Sequence, residues 1–325
     1  MGKQLAAIPL VCFLLASAQG AGPTYTDHDQ ADADFAYQGE YVGKVKTDDG
    51  DVQVGLQVIA LGKGKFHAVG YRGGLPGDGW DKETKREVDG ELKDGVAEFS
   101  GDEADARIKD GVATILDKDG RELGRLDKIH RSSPTLGAKP PEVAVVLFDG
   151  NSADAFQGGK MTDDGLLQQG CTSKQKFGSC KLHIEFRLPY QPEDRGQARG
   201  NSGIYVGARY ECQMLDSFGL AGENNECGGL YSVKAPDVNM CLPPLAWQTY
   251  DIDYTAAKYD GDKLVANPRV TISHNGVVIH NDVELPGERS TTAAPNKPGP
   301  EPGPIYLQDH GNPVRYRNIW VVEKK

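Results

Sequence analysis

The chain has 325 residues and is acidic, with 36 Lys and Arg against 47 Asp and Glu; it carries 41 Gly and 19 Pro. That length accommodates two domains of ordinary size. The acidic balance argues against a nucleic-acid partner, which needs a basic face. Abundant turn residues and scarce helix-period apolar runs point to many short strands.

Lys3 followed by the apolar stretch Leu5 to Ala16 reads as a signal peptide over residues 1–20. The stretch is too short to span a bilayer comfortably, although a retained anchor is the alternative reading. Ala16-Ser17-Ala18 and Ala18-Gln19-Gly20 both offer cleavage sites. The expected location is therefore periplasmic or extracellular, in a bacterium. No later segment looks able to cross a membrane.

Residues 21–34 are polar and Asp-rich, as in a flexible lead-in. Residues 35–130 read as a small antiparallel β domain. Val52 to Val58 alternates with the strand period, and Lys65 to Tyr71 follows as a second strand. Asp89-Gly90, Asp94-Gly95, Asp110-Gly111 and Asp119-Gly120 each carry a hairpin-turn signal. Residues 131–142, with Ser132-Ser133-Pro134 and Pro140-Pro141, read as a linker.

From Val143 the chain offers strands at 181–188, 203–208, 210–215, 248–254, 269–274, 277–280, 305–308 and 316–322, with a hairpin turn at Asn275-Gly276. That spacing predicts an antiparallel sandwich over residues 143–325. Six prolines between Pro286 and Pro304 mark a long surface loop, a candidate wall of a site.

Export permits disulfides. Five cysteines follow the leader, an odd number. Cys227 and Cys241 flank a Gly/Pro segment and are the expected pair. Cys171 and Cys180 could close a short hairpin, and Cys212 reads as a core residue. No CxxC spacing supports a zinc site. Asp48-Asp49-Gly50-Asp51 lacks a suitably placed Glu and reads as a turn rather than a calcium loop. No nucleophile elbow, phosphate loop or HExxH motif occurs.

Two runs carry chemistry. In Tyr210 to Asp216, alternation puts Arg209, Glu211 and Gln213 on one face, and Tyr210, Cys212 and Met214 on the other. In the second, Tyr306, Gln308 and His310 share a face. A carboxylate and an imidazole form a workable acid/base pair, and amides suit sugar hydroxyls. Each has a plainer reading: Glu211 as a solvated strand residue, His310 as a turn residue in Asp309-His310-Gly311-Asn312, Asp216 as a turn partner, and Trp247 and Trp320 as core.

These runs resemble the 3-keto-disaccharide hydrolase family. The resemblance rests on Val146-Leu147-Phe148-Asp149-Gly150-Asn151, Glu185-Phe186-Arg187, Asn201-Ser202-Gly203-Ile204-Tyr205, Tyr210 to Asp216, Leu307-Gln308-Asp309-His310-Gly311 and Arg317-Asn318-Ile319-Trp320. It covers residues 143–325 and implies a concanavalin-like jelly-roll sandwich acting on sugars oxidised at C3. The Cys227–Cys241 segment and the Pro-rich loop depart from the family pattern. With the resemblance in hand, His310 and Glu211 are the expected acid/base residues. Asn201, Arg209, Gln213, Asp216, Gln308, Asp309 and Arg317 are the expected ligands of hydroxyls or an enolate. A divalent metal polarising the ketone is compatible with this chemistry, with no clear ligand set in the sequence. A non-catalytic lectin-like module and a cell-surface scaffold stay open as alternatives, because fold does not dictate function.

Overall fold

The computed structural model describes residues 22–48 and 50–324; the leader read over residues 1–20 lies outside them. Among the described residues, no helix is long and apolar enough to cross a membrane.

Eight antiparallel strands close into an up-and-down barrel: β1 (Gly39–Thr47), β2 (Gly50–Gly62), β3 (Lys65–Arg72), β4 (Lys85–Lys93), β5 (Val96–Ser100), β6 (Asp105–Lys109), β7 (Val112–Leu116) and β8 (Glu122–Ile129). Closure runs from Glu40 opposite Ile129 to Val45 opposite Gly124. The strand period sends Tyr41, Val58, Phe66, Phe99, Ile108 and Leu126 into a buried interior. Asp94-Gly95 and Asp110-Gly111 have positive φ at both residues, as two-residue hairpin turns of this hand require. Asp89-Gly90 is not a turn, contrary to its sequence signal. It lies inside β4, where a Cβ on Gly90 would come 2.4 Å from Phe99 Cδ1. Glycine is needed there for packing, not for turning.

In β2, Leu56 to Ala60 is buried at every residue, which one-sided alternation does not explain. Leu56, Val58 and Ala60 line the barrel interior. Ile59 faces outward with Val69 and Tyr71 of β3 and joins the core of the following sandwich. A strand covered on both faces loses its polar alternation.

The sandwich has two antiparallel sheets. The five-stranded sheet runs in the order Phe156–Gln157, Cys171–Phe177, Gly303–Leu307, Ser202–Val206, Tyr210–Met214. The larger sheet runs Leu167–Gln168, Arg315–Glu323, Cys180–Arg187, Trp247–Thr255, Arg269–His274, Val277–Glu284, with Val145–Phe148 also paired to Arg315–Glu323. Ile204, Cys212, Met214, Ile305 and Leu307 meet Leu182, Ile184, Phe186, Tyr250 and Ile252 between them. This is the all-β sandwich that the sequence predicts. The Gly303–Leu307 strand reaches back into the Pro-rich segment; Pro304 stands second in it, where its ring is tolerated.

The segment between barrel and sandwich is bound along its length. Arg131 grips Glu40 of the barrel, Ser133 Oγ lies 2.6 Å from Thr249 Oγ1, and Gly137 N donates to Glu185 Oε1 at 2.5 Å. Tyr25, in the N-terminal lead-in, exchanges backbone hydrogen bonds with Tyr190 at 2.9–3.0 Å.

The Cys227–Cys241 disulfide expected from sequence is not formed. All five cysteines among the described residues are free and buried. Cys227 Sγ lies 3.2 Å from the Tyr250 hydroxyl, and Cys241 Sγ donates to Leu215 O at 3.5 Å. Cys171 and Cys180 do not close a hairpin. They begin consecutive strands of different sheets, so the residues between those strands turn a corner of the sandwich.

Candidate functional site

The outer face of the five-stranded sheet carries two rows of polar side chains. The register places Glu211 opposite Tyr205, and Tyr205 opposite Tyr306. The next row places Gln213 opposite Gly203, whose carbonyl accepts from the Gln308 N–H at 2.9 Å. Gly203 is the gap in this pattern. A Cβ there would stand 2.2 Å from Glu211 Oε1, so the carboxylate lies over a position that only glycine leaves open.

Glu211 is 2% exposed, and burial pushes its carboxyl up to about 7, with the Tyr205 hydroxyl pulling the other way. An isolated carboxylate loses its water there, so the neutral form is favoured until near pH 7. Tyr205 is fully buried and held protonated, first by burial and then by the neighbouring Glu211 charge. Gln308 Nε2 donates to the Tyr205 hydroxyl at 3.0 Å. Turning the Gln213 amide so that its NH₂ meets Ser202 O at 2.6 Å and Glu211 Oε1 at 3.1 Å pairs donors with acceptors. Two buried acceptors in this neighbourhood, Asn201 Oδ1 and Gln308 Oε1, have no protein partner. Such atoms are uncommon in a structural face and fit a site that receives hydroxyl donors. Tyr306 and Gln308 are half-buried and border the open side.

Loops frame the rows. Tyr210–Met214 is the sheet's edge strand, and its free edge is covered: Gln213 N donates to Gly229 O at 2.9 Å, Tyr231 N to Glu211 O at 3.2 Å. Glu211 N donates to Thr291 Oγ1 at 3.0 Å, which ties the Pro-rich loop to the site.

The predicted residues divide accordingly. Glu211, Gln213, Gln308 and Asn201 come together. Arg209 does not reach them; its guanidinium donates to Lys297 O at 2.8 Å and Glu301 O at 3.0 Å and pins the Pro-rich loop. Asp216 is paired with Arg199 at 2.6 Å. His310 is exposed in the bend after the Gly303–Leu307 strand, and Asp309 Oδ1 accepts from Gly311 N in that bend at 2.9 Å. Alternation through His310 fails because the strand ends at Leu307. Arg317 lies on the other sheet, 2.6 Å from Glu185 and 4.0 Å above the Trp247 ring. Among the described residues, no group of three or more His, Cys, Asp or Glu side chains is placed to hold a metal ion.

Tyr205, Gly203 and Gln197 stand among these residues and were absent from the predicted set. Tyr205 was within reach: a hairpin joining Val206 to Tyr210 sets Tyr205 directly across from Glu211. The close approach at Gly203 gives a prediction. Gly203→Ala is expected to displace the Glu211 carboxylate, and an activity that uses this carboxyl should fall about 10²-fold for a shift of about 1 Å. Steady-state kinetics beside a thermal melt checks it; a folded variant with unchanged turnover contradicts it.

Residues 143–322 match the family described as the 3-keto-alpha-glucoside-1,2-lyase-like domain. A solved structure from Parabacteroides distasonis ATCC 8503, named a "putative glycosyl hydrolase", is similar at 33% identity and a TM-score of 0.52, over 57% of this chain and 85% of that chain. A second structure with the same wording, from the same organism, is 17% identical over 57% of this chain and 95% of that chain, with a TM-score of 0.41. No curated protein matches the chain.

Proposed function

The chain belongs to the 3-keto-alpha-glucoside-1,2-lyase-like family, and from that premise we propose that it cleaves 3-keto-glycosides at the Glu211 face. A ketone at C3 acidifies the C2 proton. A base removes that proton, and the electron pair of the C2–H bond forms the enolate. The enolate then expels the C1 glycosidic oxygen, which takes a proton and departs as an alcohol. The sugar is left as a C1=C2 enone, and addition of water across that bond completes net hydrolysis.

The observation that supports this best is a buried carboxyl titrating near 7, at the pH where it can both accept and return a proton. Glu211 is assigned the proton transfers. The Tyr205 hydroxyl and the Gln213 amide hydrogen-bond the Glu211 carboxyl and hold it in place. Gln308 and Asn201 receive hydroxyls. His310, on the exposed bend, is the second acid/base candidate. The route does not use the paired carboxylates of ordinary glycosidases. The chelator arm of the assay tests for a divalent cation on the ketone oxygen. The leader reading places the reaction outside the cytoplasm.

The test is sugar release from 3-keto-trehalose and from plain trehalose, with and without a chelator, for the wild type, Glu211→Ala and His310→Ala. The expected result is release from the keto sugar alone, lost in Glu211→Ala. Retained binding of ordinary glycans without release from any keto-glycoside overturns it in favour of a lectin-like module.

A further inference from the structure

The barrel precedes the family match and supplies none of the groups assigned above. Its β2–β3 end nevertheless holds the segment that borders the Glu211 face. Lys63 Nζ lies 2.7 Å from Glu193 Oε2. Arg195 Nη2 donates to Leu61 O at 2.9 Å. Arg199 donates through Nη1 and Nη2 to Ala60 O at 3.4 and 3.3 Å. Arg199 is 5% exposed, and its Nε donates to Asp216 Oδ2 at 2.6 Å. Asp216 in turn returns a backbone bond from its N–H to Arg199 O at 3.1 Å. One guanidinium thus joins a barrel strand to the chain on both borders of the site.

What this segment carries matters. Gln197 and Asn201 lie on it, with Asn201 Nδ2 donating to Gln197 O at 2.8 Å and to Gln197 Oε1 at 3.0 Å. The Gln197 and Gln213 side-chain amides are 3.1 Å apart, and Gln197 Nε2 donates to Asn225 O at 2.9 Å. The loop bearing Asn225 is also set against the barrel. Gly219 has a φ of +77°, and a Cβ there would stand 2.4 Å from Ile59 Cδ1 of β2.

We propose that the barrel is a positioning domain for the site, and that Arg199 is the positioning residue through which it sets the Gln197–Asn201 wall. This rests on the reading of the Glu211 face as the substrate site. A wall fixed before binding does not have to be ordered by the substrate, which favours affinity over chemical rate.

The experiment compares Arg199→Gln, Arg199→Lys and Arg195→Gln in the full chain, by kinetics on 3-keto-trehalose and by amide hydrogen exchange. Arg199→Gln is expected to raise KM about tenfold with kcat little changed, as for a group that orients without reacting. Exchange should accelerate over residues 196–201 while the 210–214 strand stays protected. Arg199→Lys, which keeps a donor toward Ala60 O, should recover most of both effects, and Arg195→Gln should show a smaller shift of the same kind. Should Arg199→Gln fail to fold, Arg195→Gln decides. A lower melting temperature with KM and exchange at 196–201 unchanged overturns the proposal. A wild type inactive on keto sugars, with the exchange pattern as expected, would instead sink the substrate reading and leave the wall's dependence on the barrel intact.

Discussion

Glu211→Gln is expected to lower kcat on 3-keto-trehalose by about 10²–10⁴-fold, the usual contribution of one positioned proton-transfer group. The same substitution should make the protein more stable at alkaline pH. The Glu211 carboxyl stands at about 7 in the folded chain against an ordinary value of 4.5. As pH rises from 4.5 to about 7, the unfolded chain ionises while the folded chain keeps its proton. Stability therefore falls across that window, by about 3 kcal/mol at roughly 1.36 kcal/mol per pH unit. Glutamine has nearly the same shape and no charge to desolvate. Urea midpoints of the two proteins should lie closest near pH 4 and separate by pH 8, with the variant higher. Active sites commonly trade stability for chemistry in this way. An unchanged kcat would remove Glu211 from the mechanism, and parallel midpoints would deny its buried titration.

The second large effect lies on the opposite sheet. Glu185→Ala should destabilise the fold by about 1–3 kcal/mol, the cost of leaving a buried carboxylate's donors unpaired, since Arg317 itself keeps 38% of its side chain exposed. Glu185 is 1% exposed. It accepts from Arg317 Nε at 2.6 Å, Asn318 Nδ2 at 2.8 Å and Gly137 N at 2.5 Å, so its removal leaves three donors unanswered. His183 stands 3.7 Å away, stacked on Trp320 and 2.6 Å from Asp251. Together these groups hold the interdomain segment against the sandwich.

The pH dependence has two signs. Burial alone would raise Glu185, but hydrogen bonds from His183, Asn318, Arg317 and Gly137 outweigh it and hold the carboxyl at about 2. Its stabilisation is present above 4.5 and lost as pH falls toward 2. Burial alone would lower His183, yet Asp251 and Glu185 raise it above 6.5. That contribution is full below 6.5 and lost as pH rises through the folded value. Urea unfolding of Glu185→Ala and the wild type should thus differ most between about pH 4.5 and 6.5 and converge toward pH 2. A loss under about 1 kcal/mol would mean that the cluster is a surface arrangement of the usual weak kind.

Local patterns were legible where the period of one strand decides the outcome. Alternation in Tyr210 to Met214 put Glu211 and Gln213 on one face and Cys212 and Met214 in the core, as found. It failed for His310 because periodicity holds only while the strand lasts. It could not separate Arg317 from Glu211, since a motif does not state which sheet it joins. Gly203 was visible as a letter but not as a gap, because its meaning depends on the carboxylate lying across from it. The Arg199 contact with Ala60 was beyond reach: it joins residues 139 apart through a backbone carbonyl, which has no signature in sequence. Asp89-Gly90 carried a turn signal whose glycine answers instead to the Phe99 ring.

The most direct test of the account is the pH profile of kcat/KM for 3-keto-trehalose cleavage, taken for the wild type beside Glu211→Gln. The account predicts a wild-type break near pH 7, where the Glu211 carboxyl titrates, and its disappearance in the variant together with most of the rate. A wild-type profile that is flat through pH 7, or a break that survives in Glu211→Gln at comparable rate, would contradict the assignment of Glu211 as the proton-transfer group.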